Sequence, residues 1–192
     1  MKRLISALPL ALFTAVALAH PGHGGHESAS FIEGFGHPIG GADHLLAMLA
    51  VGLLAAREKG SARWALPVAF VVAMQAGAGL GALGVALPAV ETGIAASVLV
   101  LGLVVALVMK LPLSAAVPMV AVFALFHGHA HFTEMGHGTV WAYAAGFAIA
   151  TAALHVAGYA LARSLPATPA AAQCKRVLGG LIAAAGVFFL AA

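Results

Sequence analysis

Hydrophobic positions along this chain gather into six long runs, at roughly 35–56, 64–86, 90–109, 113–132, 139–162 and 175–192. Each is close to the ~20 residues that a helix needs to cross the hydrocarbon core of a bilayer. Ala, Leu, Val and Gly fill the runs, and the apolar–polar alternation of a membrane barrel strand is absent. The breaks between runs are short. The pattern predicts an all-α integral membrane protein, six transmembrane helices packed in one bundle. Small residues recur within the runs, as in Ala76-Gly77-Ala78-Gly79, Gly81, Gly179-Gly180 and Gly186. They let helix backbones approach closely in lipid.

A shorter apolar stretch precedes the six. Lys2 and Arg3 are followed by Leu4 to Leu18 and by Ala17-Leu18-Ala19, the layout of a cleavable secretory signal. The expected organisation is a signal peptide over 1–19, a periplasmic His-rich segment over 20–34 and the six-helix domain over 35–192. An uncleaved additional helix is the alternative for the first segment. Positive charge then sets the orientation. Arg57, Lys59 and Arg63 follow the first run, Lys110 the third, and Arg163, Lys175 and Arg176 the fifth. Basic connections stay in the cytoplasm, so both mature termini face the periplasm of a bacterial inner membrane.

Composition sharpens this picture. Hydrophobic residues make up 62% and charged residues 8% of 192 residues, with a mean hydropathy of +1.04. A water-soluble domain cannot carry that balance. The pI of about 9.4 is explained by topology, without a nucleic-acid partner. A single Cys174 excludes an internal disulfide and any thiolate cluster.

Against this background the ten histidines need a reason, because an imidazole in hydrocarbon is costly without a partner. A metal ion is the partner that suits several neutral imidazoles at once. His20, His23 and His26 lie in the glycine-rich segment that follows the signal, where a new N-terminal amine and imidazoles can capture a metal. The first run opens with Gly36-His37-Pro38-Ile39-Gly40-Gly41-Ala42-Asp43-His44 and continues to Met48. Pro38 and Gly40-Gly41 can break the helix, which is tolerated where backbone lines a site. Unbroken, the helix would place His37 and His44 on one face, and His44 stacks on Met48. Asp43 either ligates the ion or accepts a ring N–H from a ligating histidine. The fourth run ends in Phe126-His127-Gly128-His129-Ala130-His131-Phe132-Thr133-Glu134-Met135. His127, His131 and Glu134 share a helix face, and His129 points elsewhere unless the backbone opens at Gly128. The candidate metal residues are therefore His37, Asp43, His44, Met48, His127, His129, His131 and Glu134, with His20, His23 and His26 outside the bundle. His155, Glu91 and Gln75 are candidates for a pathway, with a packed core residue as the alternative for His155. His137 falls in the loop after the fourth run.

The run His37-Pro38-Ile39-Gly40-Gly41-Ala42-Asp43-His44, followed by Ala47-Met48, resembles the signature of the HupE/UreJ family. His127-Gly128 with His131 and Glu134 is similar to that family's second motif, with His129 as an additional imidazole. The resemblance covers the whole chain. It implies a small bacterial secondary permease for nickel or cobalt.

The expected function is import of a divalent transition metal from periplasm to cytoplasm, through a site between the first and fourth runs. The protein would be a carrier and not an enzyme, with the metal ion and the bilayer as partners and no cofactor beyond that metal. No phosphate-binding loop or ATPase segment is present, so no ATPase subunit is implied. Imidazole-rich sites suit nickel, cobalt, copper or zinc over magnesium or calcium, which keeps a copper or zinc transporter open. An intramembrane zinc-dependent hydrolase and a haem-binding electron carrier are rivals from other classes. Oligomeric state, counter-ion and exit path are left open by the residues.

Overall fold

The computed structural model describes residues 30–134 and 139–192, and the side chain of Glu134 lies outside the described set. So do the signal, His20, His23, His26, Met135 and His137. Seven α-helices and one short 3₁₀ helix make up the described residues, which contain no strand. They are α1 (Phe31–Gly40), α2 (Ala42–Ala55), α3 (Ala65–Ala82, entered through the 3₁₀ helix Gly60–Trp64), α4 (Val90–Ala106), α5 (Leu113–Glu134), α6 (Val140–Ser164) and α7 (Pro169–Ala191).

Four helical segments are long and apolar enough to cross a membrane: Gly60–Ala82, Leu113–Thr133, Val140–Ser164 and Pro169–Ala191. The bent pair α1–α2 makes a fifth if counted as one span, and α4 is a shorter apolar helix of 17 residues. At 1.5 Å per residue α4 is about 25 Å long, less than the ~30 Å of a hydrocarbon core.

The first expected span is two helices meeting at 83°. Ser30 opens α1 through a capping box with Glu33: the Ser30 Oγ accepts from the Glu33 amide at 3.2 Å, and Glu33 accepts from the Ser30 amide at 2.6 Å. These bonds satisfy amides that a helix start leaves without partners. Gly41 is extended, with φ −88° and ψ 116°, and ends one helix while starting the next. The bend thus falls at the Gly40-Gly41 pair, three residues after Pro38.

Two further boundaries differ from expectation. α4 stops at Ala106, three residues before the expected 109, because Val108 is left-handed with φ 54°. α7 begins at Pro169, so Lys175 and Arg176 lie within a helix and not in a connection. Thr168 caps its start, accepting from the Ala171 amide at 3.3 Å, and proline suits the first helical turn.

Paired glycines set the helix crossings. A β-carbon on Gly34 of α1 would meet the Tyr143 carbonyl of α6, and one on Gly146 would meet the Phe31 carbonyl. Gly52 of α2 lies against the His155 carbonyl of α6, and Gly158 against the Leu49 carbonyl. Gly77 of α3 meets the Leu125 carbonyl of α5, and Gly128 meets the Met74 carbonyl. Gly102 of α4 lies against the Ala183 amide of α7, and Gly179 and Gly186 of α7 lie against the Ala106 and Leu99 amides. In lipid, such close approach replaces the hydrophobic drive that packs helices in water. One core runs through the bundle, with Met48, Val51, Phe70, Val98, Leu101, Val120 and Ile182 at its centre.

Candidate metal-binding site

The bend between α1 and α2 faces the last turns of α5. This brings His37 from α1, His44 from the first turn of α2, and His127 and His131 from α5 to one place. Ring centroids lie 4.4 Å apart for His44–His131, 4.6 Å for His44–His127, 4.7 Å for His37–His131 and 6.1 Å for His37–His44. His44, His127 and His131 are buried. An imidazole bound at ~2.1 Å places its centroid about 3.2 Å from the metal, so two rings on one ion sit about 4.5 Å apart when adjacent and about 6.4 Å apart when opposite. The observed separations fall on this scale. Ring directions do not yet converge: among the described residues no group of three or more His, Cys, Asp or Glu side chains stands as a ready-made metal site.

Hydrogen bonds decide which ring nitrogens are available. An Asp43 Oδ1 oxygen accepts from the His44 backbone amide and from the His44 Nδ1–H, both at 2.7 Å. That leaves the lone pair on His44 Nε2, which is buried with no hydrogen-bond partner. Of the two roles expected for Asp43, the structure therefore displays the orienting one. Ser97 of α4 performs the same service for His127. Its hydroxyl donates to the Ile94 carbonyl at 2.6 Å, so its oxygen accepts from the His127 Nε2–H at 2.9 Å. The His127 Nδ1 lone pair is then left buried and unpartnered. Both ring nitrogens of His131 are also buried without a hydrogen-bond partner. Unpartnered buried nitrogens on three adjacent rings are costly by about 1–3 kcal/mol each, a cost that ligation of a cation would remove.

Aromatic rings flank the cluster. The Phe147 ring lies 3.7 Å from His131 and 6.2 Å from His37, Tyr143 lies 6.2 Å from His37, and Phe70 lies 5.5 Å from His127. They lower the local dielectric and strengthen charge–dipole interactions inside. Gly128 makes the arrangement on α5 possible. Its missing side chain lets α5 sit against the Met74 carbonyl and the Ala78 amide of α3, with His127 next to it in the chain and His131 one turn on.

Several sequence-predicted residues stand elsewhere. The helix stays closed through Gly128, so His129 points away, and its Nε2 lies 2.9 Å from the Val85 carbonyl in the α3–α4 connection. Met48 is buried in the hydrophobic core one turn beyond His44. Glu91 is exposed in the first turn of α4. Gln75 donates to the Ala144 carbonyl at 3.4 Å, beside a small cavity lined also by His131, Tyr143 and Phe147. His155 is buried on α6 with both ring nitrogens unpartnered, edge-on to Phe70 at 5.1 Å. Phe70 thus packs against both His127 and His155. Ser97 carried no distinctive signal in the sequence. It is a lone serine in an apolar run, and its hydrogen-bond partner lies 30 positions away.

Fold and site together define a helical, multi-pass membrane protein with a buried cluster of imidazoles where its first apolar run is broken. The chain belongs to the HupE/UreJ family, whose profile, described as HupE / UreJ protein, matches residues 8–189. It is 45% identical over 184 residues to Protein HupE of Rhizobium leguminosarum bv. viciae, covering 94% of each chain. No solved structure matches it. The family is of transport type and associated with nickel and cobalt.

Proposed function

We propose that the protein is a secondary permease that imports a divalent transition-metal cation, nickel or cobalt, from periplasm to cytoplasm. The observation that carries this reading is the meeting of His37, His44, His127 and His131, with unpartnered ring nitrogens on the last three. In this reading α1 and α2 together form one crossing and α4 forms another, giving six crossings after removal of residues 1–19. Both termini are periplasmic and the basic connections cytoplasmic. His20, His23 and His26 capture the ion outside.

The captured ion meets the break at Gly41 and exchanges water for imidazole nitrogen. His44 Nε2 and His127 Nδ1 are presented by Asp43 and Ser97, His131 adds a third ring beside His44, and His37 closes the site from α1. The Asp43 carboxylate offsets part of the ion's charge through the His44 ring. His155, beside Phe70, offers the next donor further along α6. Without an ATPase, movement follows the membrane potential, which favours cation entry by about 2.3 kcal/mol per charge per 100 mV. Nitrogen donors select against magnesium and calcium. The Irving–Williams order would favour copper, so selectivity for nickel or cobalt must come from site geometry and from metal supply.

Uptake in proteoliposomes with nickel or cobalt outside, and copper and zinc as competitors, tests the reading. The expected result is saturable uptake that His44→Ala abolishes without loss of folded protein. Binding without transport, or uptake unaffected by His44→Ala, would overturn it.

A further inference from the structure

The histidine cluster leaves the other end of the bundle unexplained. Arg57 follows His44 by thirteen positions, about 20 Å along the helix direction. There the end of α2, the α4–α5 connection and the first half of α7 enclose a cavity of about 490 Å³. Its walls are apolar, with Leu54, Leu66, Val104 and Met119 among them, and its rim carries Arg57, Lys110, Lys175 and Arg176 against one carboxylate, Glu58. A second cavity of about 180 Å³ shares Arg57 and Lys175 and adds Arg163. Among the described residues, the one side-chain ion pair joins Asp43 and His44, so no described carboxylate pairs with these five cations.

The two arginines are fixed by the end of α4. Arg57 donates to the Val104, Val105 and Met109 carbonyls at 3.1, 2.8 and 3.3 Å, and Arg176 Nε donates to the Ala106 carbonyl at 3.2 Å. Lys110 and Lys175 make no side-chain hydrogen bond to a described residue. They are the free donors at the rim.

The adjoining backbone is unusual in a way that points to the bilayer. Leu107, Val108 and Met109 are 61%, 48% and 44% exposed, directly before Lys110. Val108 has φ 54°, a costly conformation for a β-branched residue. It is held by the Val108 amide on the Val105 carbonyl and the Met109 amide on the Val104 carbonyl, a Schellman closure that glycine usually serves. The result is a strained apolar tip beside a ring of cations. In water that tip is unfavourable. At the headgroup–acyl boundary, its side chains enter hydrocarbon while the lysines stay at the polar level.

We propose that this cavity binds the phosphate diester of an anionic phospholipid headgroup. Lys110 and Lys175 are the direct ligands, Arg57 and Arg176 supply a fixed positive field, and the Leu107–Met109 tip is anchored among the acyl chains. Basic pockets between membrane helices recognise headgroups of this charge. The apolar walls and tip favour a lipid over free phosphate as the source of the group. The inference requires that the helices cross a bilayer; it does not depend on which ion the histidines bind.

Native mass spectrometry of the purified protein in neutral detergent tests it, with phosphatidylglycerol, phosphatidylcholine and inorganic phosphate as separate probes. The expected result is a one-to-one phosphatidylglycerol adduct, with phosphatidylcholine and phosphate binding at least tenfold more weakly. The double variant Lys110→Gln, Lys175→Gln should lower phosphatidylglycerol affinity at least tenfold. Equal binding of both lipids, displacement of phosphatidylglycerol by equimolar phosphate, or undiminished binding by a folded double variant would overturn the proposal. Should that variant not fold, salt decides with the unaltered protein: screening between about 0.1 and about 1 M must weaken phosphatidylglycerol binding, and an adduct indifferent to salt refutes it.

Discussion

Replacing Ser97 with alanine removes one oxygen atom from the bundle and scarcely changes its packed volume. Ser97 and His127 are both 0% exposed, so no water replaces the lost acceptor. The His127 Nε2–H, now 2.9 Å from the serine oxygen, would be left unsatisfied at a cost of about 1–3 kcal/mol. The ring can escape that cost by shifting its proton to Nδ1 or by turning, and either change disturbs the buried Nδ1 lone pair. At 1.4 kcal/mol per tenfold, metal affinity should fall roughly 5- to 150-fold. That range overlaps the ~10–100-fold losses typical when the partner of a ligating histidine is removed. Titration calorimetry of purified wild type and Ser97→Ala with nickel and with cobalt gives the ratio, and a thermal unfolding scan shows whether the fold is intact. A folded Ser97→Ala protein that binds with wild-type affinity would refute the assignment of His127 Nδ1 as a ligand.

Asp43→Asn keeps an acceptor for the His44 ring but loses the charge, so nickel affinity should fall about tenfold, and Asp43→Ala should fall further, both read by the same titration. Gly128→Ala places a methyl against the Met74 carbonyl; it should destabilise the bundle by about 1–3 kcal/mol and weaken metal binding, measured as a lower thermal midpoint and a raised Kd. Val108→Gly relieves a left-handed valine and should raise stability by about 1 kcal/mol, seen as a higher midpoint in detergent.

Much of this architecture can be read from residue pattern alone, because long apolar runs and obligatory backbone hydrogen bonding leave little choice in lipid. The break at Pro38 and Gly40-Gly41 is likewise written in residues that disfavour continuous helix. Its 83° angle is not, since it depends on Gly34 and Gly146 drawing α1 against α6. The same bend cancels the idea that His37 and His44 share one helix face; they meet because the chain turns between them. The convergence of His44 with His127 and His131 follows from two motifs with compatible chemistry. The partners of His129 and Ser97 were illegible for one reason. They are a carbonyl at Val85 and a ring at His127, brought near by helix crossings that no local pattern encodes.

The central claim is that the broken first span and α5 place several imidazoles on one cation. X-ray absorption at the nickel edge of the loaded, purified protein examines this most directly. The account predicts ring scattering from three or four imidazoles at about 2.0–2.1 Å, reduced by about one ring in each of His44→Ala and His127→Ala. An oxygen shell without imidazole scattering, or a spectrum unchanged in both variants, would contradict it.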